Sequence, residues 1–475
     1  CLAQHKQKMS LVAIGAGVVI ILVCALLYIK RFQKPQNSPP YEAGTIPYLG
    51  MGLSFGKSPV DVATAMFKKH GPVYTLNILG NRLTFLASAE AHEPFLKGSD
   101  IELDQNEPYK FAVPLFGKGV VYDVDLATRN QQLRFMRGSL KTDKMKTYVS
   151  QIVQEAELFF EKWGESGQVD IRNELSQLII LTASRCLMGK EIREHLFGEV
   201  ARLFQHIDEG LTTLSVFFPY LPIPQHKRRD KAREEIIELF AKVMRERKSH
   251  PDEVHDDVLQ VFMDARYKDG RGLTDQEIGG MMVALLFAGQ HTSSITSSWT
   301  GLLLLENREF LTPVLEEQER VLKEHNGELT YDALQKMDNL HFCIKEALRM
   351  YPPLIFLMRK LTVDKKICGF DVPKGDTLFL SPAVSGRLES IWSNPDKFDP
   401  NRFAPGREED KQKPFSFVGF GGGRHGCMGE TFAYLQIKTI WSVLLRNFDM
   451  EIVGDLPKPD YSAMVVGPTQ PCQVK

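Results

Sequence analysis

The sequence predicts a mainly α-helical fold with a minor β-sheet, preceded by a transmembrane helix. Three observations carry this. Most of the chain beyond about residue 49 has helical hydrophobic period, as in "QIVQEAELFFEKW" and "KAREEIIELFAKVMRER". Strand-like alternation is confined to short stretches, of which "VYTLNILGNRLTFLA" (73–87) reads as a β-hairpin around Gly80-Asn81. Near the start, "LVAIGAGVVIILVCALLYI" (11–29) is an uncharged apolar run about as long as a bilayer core requires.

These stretches divide the chain into a short tail (1–10), a transmembrane anchor (11–29), a Pro-rich linker (30–48, within which "QKPQNSPPYEAGTIPY" is rich in Pro and turn residues) and one large domain (49–475). A signal peptide is the rival reading of 11–29, but the run exceeds the usual apolar region and lacks a cleavage site. Lys30, Arg31 and Lys34 outweigh Lys6 and Lys8, so the charge bias favours a cytosolic domain. The chain opens on Cys1 rather than Met, and its true N-terminus is expected to be missing or trimmed. With 58 basic against 59 acidic residues, the overall balance does not point to nucleic acid or a strongly charged substrate. Seven cysteines without a C-x-x-C, and no N-x-[ST] acceptor, suit a reducing compartment.

One helix stands out. Thr274 and Glu277 form a capping box, after which the apolar pattern "IGGMMVALLFAGQHTSSITSSWTGLLLLE" runs to about Glu306. Its middle, "AGQHTSS", leaves room at Ala288 and Gly289 and crowds hydroxyls together, which invites a local distortion and a ligand. The bland reading is a small-residue packing seam between helices. In "HFCIKEALRMYPP", Glu346 and Arg349 share a helix face that Pro352 and Pro353 terminate, and Arg402 in "FDPNRFAPG" could reach the same carboxylate. Taken alone, such a pair is a solvated surface salt bridge.

The stretch "FGGGRHGCMGE" (420–430) has two readings. Gly421, Gly423 and Gly426 satisfy G-x-G-x-x-G between strand-like "PFSFVGF" and helix-like "TFAYLQIKTIWSVLL", a dinucleotide context. The same stretch places Cys427 at the mouth of that helix among glycines that let a flat ligand approach, which would suit a metal held through sulfur. A doubly wound sheet needs several alternating strand and helix units, and these are not visible. Asp449 and Glu451 come late for a ribose-binding acid, and His425 with Cys427 lacks further clustered ligands for zinc.

In combination and order, "AGQHTS", "EALR", "PNRF" and "FGGGRHGCMG" resemble the haem-thiolate monooxygenases of the cytochrome P-450 family, from the apolar span to the C-terminus. The resemblance implies haem b with Cys427 as the proximal thiolate, Phe420 shielding the sulfur, and Gly423 and Gly429 allowing the tight turn and close approach. It implies that Glu346, Arg349 and Arg402 form a structural triad behind the ligand loop. A thiolate at a helix N-terminus gains from the dipole, and its electron donation favours O–O cleavage.

Within the family the chain is similar to the sterol 14α-demethylases of plant, algal and protist type. His291 replaces the usual acid before the helix threonine, Thr292, and His425 replaces the usual Arg two residues before the cysteine. Tyr109, Phe111, Phe116 and Tyr122 in "YKFAVPLFGKGVVYD" match a substrate-facing loop, which without the family is an aromatic-rich turn, more often core. The resemblance adds Phe287, Ala288, Leu354 and Met464 to the substrate residues. It offers Tyr109, Tyr122, Arg359 and His425 as haem-propionate partners, leaving open which of Arg129, Arg134 and Arg137 joins them. It further implies O2, electrons from NADPH through a separate reductase, azole-type inhibitors on the iron, and an endoplasmic reticulum membrane location with a single span. His291 and Thr292 would relay protons, although a lone histidine is more often a satisfied core residue. A haem carrier without catalysis would keep Cys427 yet need no such relay.

Overall fold

The computed structural model describes residues 37–46 and 48–475. The predicted anchor at 11–29 lies outside them, and among the described residues no helix is long and apolar enough to cross a membrane. The architecture is mainly helical with a six-stranded mixed sheet at one side. Helices used below are α1 (Leu126–Gly138), α2 (Thr142–Phe160), α3 (Ile171–Ala183), α4 (Phe197–Asp208), α5 (Pro224–Ser249), α6 (Asp275–Glu306), α7 (Asp338–Met350) and α8 (Glu430–Asn447).

Helix α6 is the axis of the helical body. It begins at the predicted Thr274/Glu277 capping box and packs against α3, α5, α7 and α8. Residues 278–284 and 293–305 are buried throughout, so both ends are surrounded by protein. Between them the helix opens. Ala288 is exposed, and residues 289–292 are partly so. The distortion expected there is absent. The helix is continuous, because the hydroxyls are satisfied along it, Thr292 Oγ1 donating to Ala288 O at 2.6 Å and Thr296 Oγ1 to Thr292 O at 2.7 Å. The α8 helix is locked onto α6 by Trp441, whose Nε1 donates to Ser297 Oγ at 2.9 Å.

The sheet runs β1 (Tyr41–Glu42), β2 (Val73–Ile78), β3 (Asn81–Leu86), β6 (Thr377–Leu380), β5 (Leu357–Leu361), β4 (Leu103–Asp104). The β2–β3 hairpin is present, but the turn is Leu79-Gly80, one residue earlier than expected, with positive φ at both positions. Strand β2 does not alternate, since every residue in it is buried. Tyr41–Glu42, inside the expected linker, instead pairs in parallel with Thr75 and Leu76 and forms the sheet edge, so the ordered body begins before residue 49. The predicted strand before the glycine run is also absent. Residues 414–420 form turns and loop, with φ +61° at Phe415, so the strand half of a dinucleotide site is missing.

The solvated reading of the Glu346 pair fails. Glu346 and Arg402 are 0% exposed and Arg349 is 2% exposed. Arg349 donates Nε and Nη2 to the two Glu346 oxygens at 2.7 and 2.8 Å, while Arg402 Nε donates to Oε1 at 2.9 Å. Arg402 also reaches Ser393 O and Glu409 Oε2, both at 2.9 Å, and Asp399 N–H donates to Glu346 at 2.9 Å. A helix is thus tied to the 393–409 segment that leads into the cysteine loop. Removing one partner of a buried charge set strands the others, so Glu346→Ala is expected to cost about 3–5 kcal/mol, read as a lowered urea midpoint. Loss within about 1 kcal/mol, the surface-pair range, would contradict the buried reading.

Candidate functional site

Cys427 sits just before α8, on a loop bent by glycine. Its backbone N–H donates to Phe420 O at 2.9 Å, closing the loop, and the Phe420 ring lies 5.0 Å from that of Tyr434 on α8. Gly423 has φ +61°, and a Cβ there would fall 2.2 Å from Leu96 O, so no other residue fits. Gly429 N–H points at the sulfur. Burial nevertheless pushes the thiol pKa up, outweighing that hydrogen bond, so without a bound metal the helix end alone does not make Cys427 a thiolate. The residue is accessible although its surroundings desolvate it.

At the rim of that loop, His425 Nε2 contacts the Asp100 carboxylate, whose side chain is 3% exposed. Arg129 Nη2 and Arg424 Nη1 each approach the same carboxylate at 3.6 Å. Arg129 on α1 is 2% exposed and Arg359 on β5 is 5% exposed. Burial lowers the pKa of Arg359 and of His425. Tyr109 and Tyr122 join this group. Tyr109 Oη accepts from Met358 N–H at 3.2 Å, the two phenol rings stack at 5.3 Å, and burial pushes the Tyr122 hydroxyl up to about 12. Of the three arginines left open on α1, Arg129 is the buried one, while Arg134 and Arg137 face solvent.

The middle of α6 supplies a further wall. Phe287 meets Phe116 edge-on at 6.1 Å, Phe116 meets Tyr122 at 6.3 Å, and Tyr109 meets Phe111 at 5.9 Å, so five predicted aromatics form one continuous surface. Phe111 is only 8% exposed and is the most enclosed of them. Leu354 and Met464 form a separate pair of positions, brought near each other where Val466 N–H donates to Pro353 O at 2.9 Å; Leu354 is 44% exposed. His291 is not a core histidine. Its side chain is 24% exposed, and Nε2 lies 2.9 Å from Asp208 Oδ1 on α4, off the line of a good hydrogen bond. Thr292 keeps its hydroxyl on Ala288 O.

A helical body whose central helix opens beside an aromatic wall, with a glycine-framed thiol on one loop and buried cations at its rim, has the parts that a flat, anionic, sulfur-ligated prosthetic group would need. A cytochrome P450 family model matches residues 39–475, and the chain belongs to that family. It is 48% identical to the sterol 14-demethylase of Arabidopsis thaliana over 98% of this chain and 97% of the relative. It is 47% identical to the obtusifoliol 14-alpha demethylase of Sorghum bicolor, over 98% and 96% respectively. The lanosterol 14-alpha demethylase of Homo sapiens is 38% identical over 97% of this chain and 90% of its own. The retinoic acid bound cyanobacterial CYP120A1 superposes with a TM-score of 0.82, covering 93% of this chain and 99% of the other at 24% identity, which supports the fold.

The family implies a haem iron held by thiolate and reacting with O2. The residues present fit. Buried Arg129, the exposed Arg424 and His425 share the one buried Asp100 carboxylate, buried Arg359 is held by no carboxylate among the described residues, and Arg129 Nε has no partner, so the rim carries surplus positive charge suited to propionates. Sequence reasoning missed Asp100 and Asp208, both ordinary acids outside any motif, and could not choose Arg129. The signal available for Arg129 was position: it lies on the same α1 face as the buried Gln132 and Met136. Replacing Cys427 with Ala is expected to abolish the red-shifted thiolate-type carbonyl spectrum of the reduced protein. Retention of that band would refute the ligand assignment.

Proposed function

We propose that this chain is a sterol 14α-demethylase that acts on a precursor with one methyl group at C4. The observation that carries the reading is 48% identity to a plant sterol 14-demethylase along nearly the whole of both chains. The reading is supported by His291 on the accessible stretch of α6, by His425 on the cysteine loop and by the aromatic wall. The 14α-methyl group is oxidised in three rounds, to the alcohol, to the aldehyde, and to carbon–carbon cleavage that releases formate and leaves a 14,15 double bond. Bound haem supplies the oxygen activation, with electrons from NADPH through a separate reductase.

The chain's own residues hold, orient and protonate. Cys427 would ligate the iron. Arg129, Arg359, His425, Tyr109 and Tyr122 orient the propionate edge, and Phe420 covers the sulfur. Phe111, Phe116, Phe287, Ala288, Leu354 and Met464 exclude water and position the sterol skeleton. Asp208, whose side chain is 37% exposed, would take a proton from solvent and pass it to His291 Nε2, 2.9 Å away, once the two groups align into a hydrogen bond. Thr292 is the next polar group along that stretch. A triazole or imidazole nitrogen would compete for the iron. Residues 11–29 anchor the chain in the endoplasmic reticulum membrane with the domain in the cytosol, and Ile46, Tyr48 and Leu53, exposed apolar residues near the start of the described body, would suit the same membrane surface.

Replacing His291 with Ala is expected to lower kcat by roughly 100-fold or more while KM stays within about twofold, since a proton donor acts on the reaction rather than on binding. A rise in KM alone would assign His291 to the sterol pocket.

Purified chain, reductase and NADPH should convert obtusifoliol to the 14,15-unsaturated product with release of formate; no formate from any 14α-methyl sterol would sink the reading. The enclosed Phe111 ring crowds a second C4 methyl, so kcat/KM should favour obtusifoliol over lanosterol by roughly 10 to 200-fold. In Phe111→Leu the ratio should move toward lanosterol. An unchanged ratio would leave demethylation standing and remove this explanation of selectivity.

A further inference from the structure

Val121 has φ +44°. A β-branched side chain strongly disfavours this left-handed conformation, so the surrounding structure must hold it. The side chain is buried, which removes solvent as the agent. The holder is Gln132, 0% exposed on the inner face of α1, next to Arg129 on the same face. Its Oε1 accepts the Val121 N–H at 2.8 Å, and its Nε2 donates to Gly119 O at 2.8 Å and to Tyr267 Oη at 3.0 Å. One amide therefore bridges both sides of the turn and leaves neither N–H donor idle.

The bond to Tyr267 continues. Its hydroxyl donates to Glu277 Oε1 at 2.9 Å, and Glu277 is the capping-box residue of α6. The same turn meets α6 a second time at Gly280, where a Cβ would fall 2.2 Å from Phe116 O and 2.7 Å from the Val120 side chain. On the far side of Tyr122, Asn106 Nδ2 donates to Val124 O at 2.9 Å while its oxygen accepts from Arg129 Nη1 at 2.8 Å. Tyr122 sits between these clamps with its ring stacked 15° from that of Tyr109.

We infer that Gln132 is a positioning residue of the site: its amide holds Val121 in the left-handed conformation, aims Tyr122 along the aromatic wall, and ties both to the N-terminus of α6. The inference rests on the placement of Tyr122 against the haem edge and sterol made above. A buried amide that served stability alone would change the unfolding midpoint and nothing else.

The test uses the holoenzyme with Gln132→Leu, Val121→Gly and the two combined. Leucine keeps the approximate volume and removes all three hydrogen bonds. In Gln132→Leu, amide hydrogens of residues 117–124 should exchange roughly tenfold faster, and KM for the sterol should rise roughly tenfold with kcat within about twofold. Adding Val121→Gly should return KM to within roughly threefold of the wild type, because glycine adopts φ +44° without being held. An unchanged KM in Gln132→Leu, or a raised KM that the glycine leaves in place, overturns the inference. If Gln132→Leu does not fold, Gln132→Met decides by the same readouts, since it fills a similar volume and also lacks the amide that makes all three hydrogen bonds. Tyr122→Ala, measured in parallel, separates the two ideas. No change in sterol KM or haem retention there refutes the Tyr122 placement and the inference with it, whereas a change there and none in the Gln132 variants refutes the Gln132 role alone.

Discussion

Glu346 has no access to water and two guanidinium groups within 2.9 Å, and the position of the metal-ligating loop follows from that arrangement. Desolvating three charges is unfavourable unless each finds close partners, so the site tolerates one geometry and few neighbours to it. Arg402 uses its remaining donors on Ser393 O and Glu409, and Arg349 uses its own on Gly386 O and Pro395 O. The chain from 386 to 409 is thereby pinned to α7, and it runs from there into the Cys427 loop. Whatever the net contribution to stability, the set gives a loop without regular secondary structure a fixed origin.

The same logic appears with opposite emphasis at the rim. There the charges are left unbalanced, with buried Arg129, exposed Arg424 and His425 around Asp100 and one guanidinium nitrogen of Arg129 unpartnered. A structural cluster would add carboxylates until the account closed, as the triad does with Glu409. A cluster left open in this way is what a bound anion would complete, which fits the proposed propionate rim better than a purely structural role.

The parts legible in the sequence were those where local chemistry dictates structure. The Thr274/Glu277 capping box and the apolar run to Glu306 required no tertiary information, and neither did the end of α7 before Pro352. The glycine-framed cysteine was legible as a site, and order along the chain chose between its two readings. What failed was anything decided by burial from afar. Glu346 and Arg349 look like a surface pair until helices and loops close over them. Strand β2 loses its expected alternation because both of its faces are covered, and Tyr41–Glu42 became a strand because an edge of the sheet was open to receive it. The dipole at α8 was expected to favour the thiolate, but the apolar surroundings that make the pocket also oppose charge on the sulfur, so ionisation waits for the metal.

The site draws Asp100, Arg129, Arg359 and His425 from four separate segments to one end, and draws phenylalanines and tyrosines to the wall beside it. This division suits a substrate that is almost wholly apolar. A sterol offers one hydroxyl and a rigid hydrocarbon skeleton, so hydrogen bonding can do little to choose its pose, and shape must do the rest. Shape discriminates only if the walls do not yield. The stacked Tyr109 and Tyr122 rings, the enclosed Phe111 and the strained turn at Val121 supply that stiffness. The softer part of the lining is the accessible stretch of α6 at Ala288 to Thr292, where small residues leave space and His291 meets Asp208. In the proposed reading, the stiff wall would recognise the skeleton and the open stretch would leave room for a proton path, both consequences of one helix being packed at both ends and open in its middle.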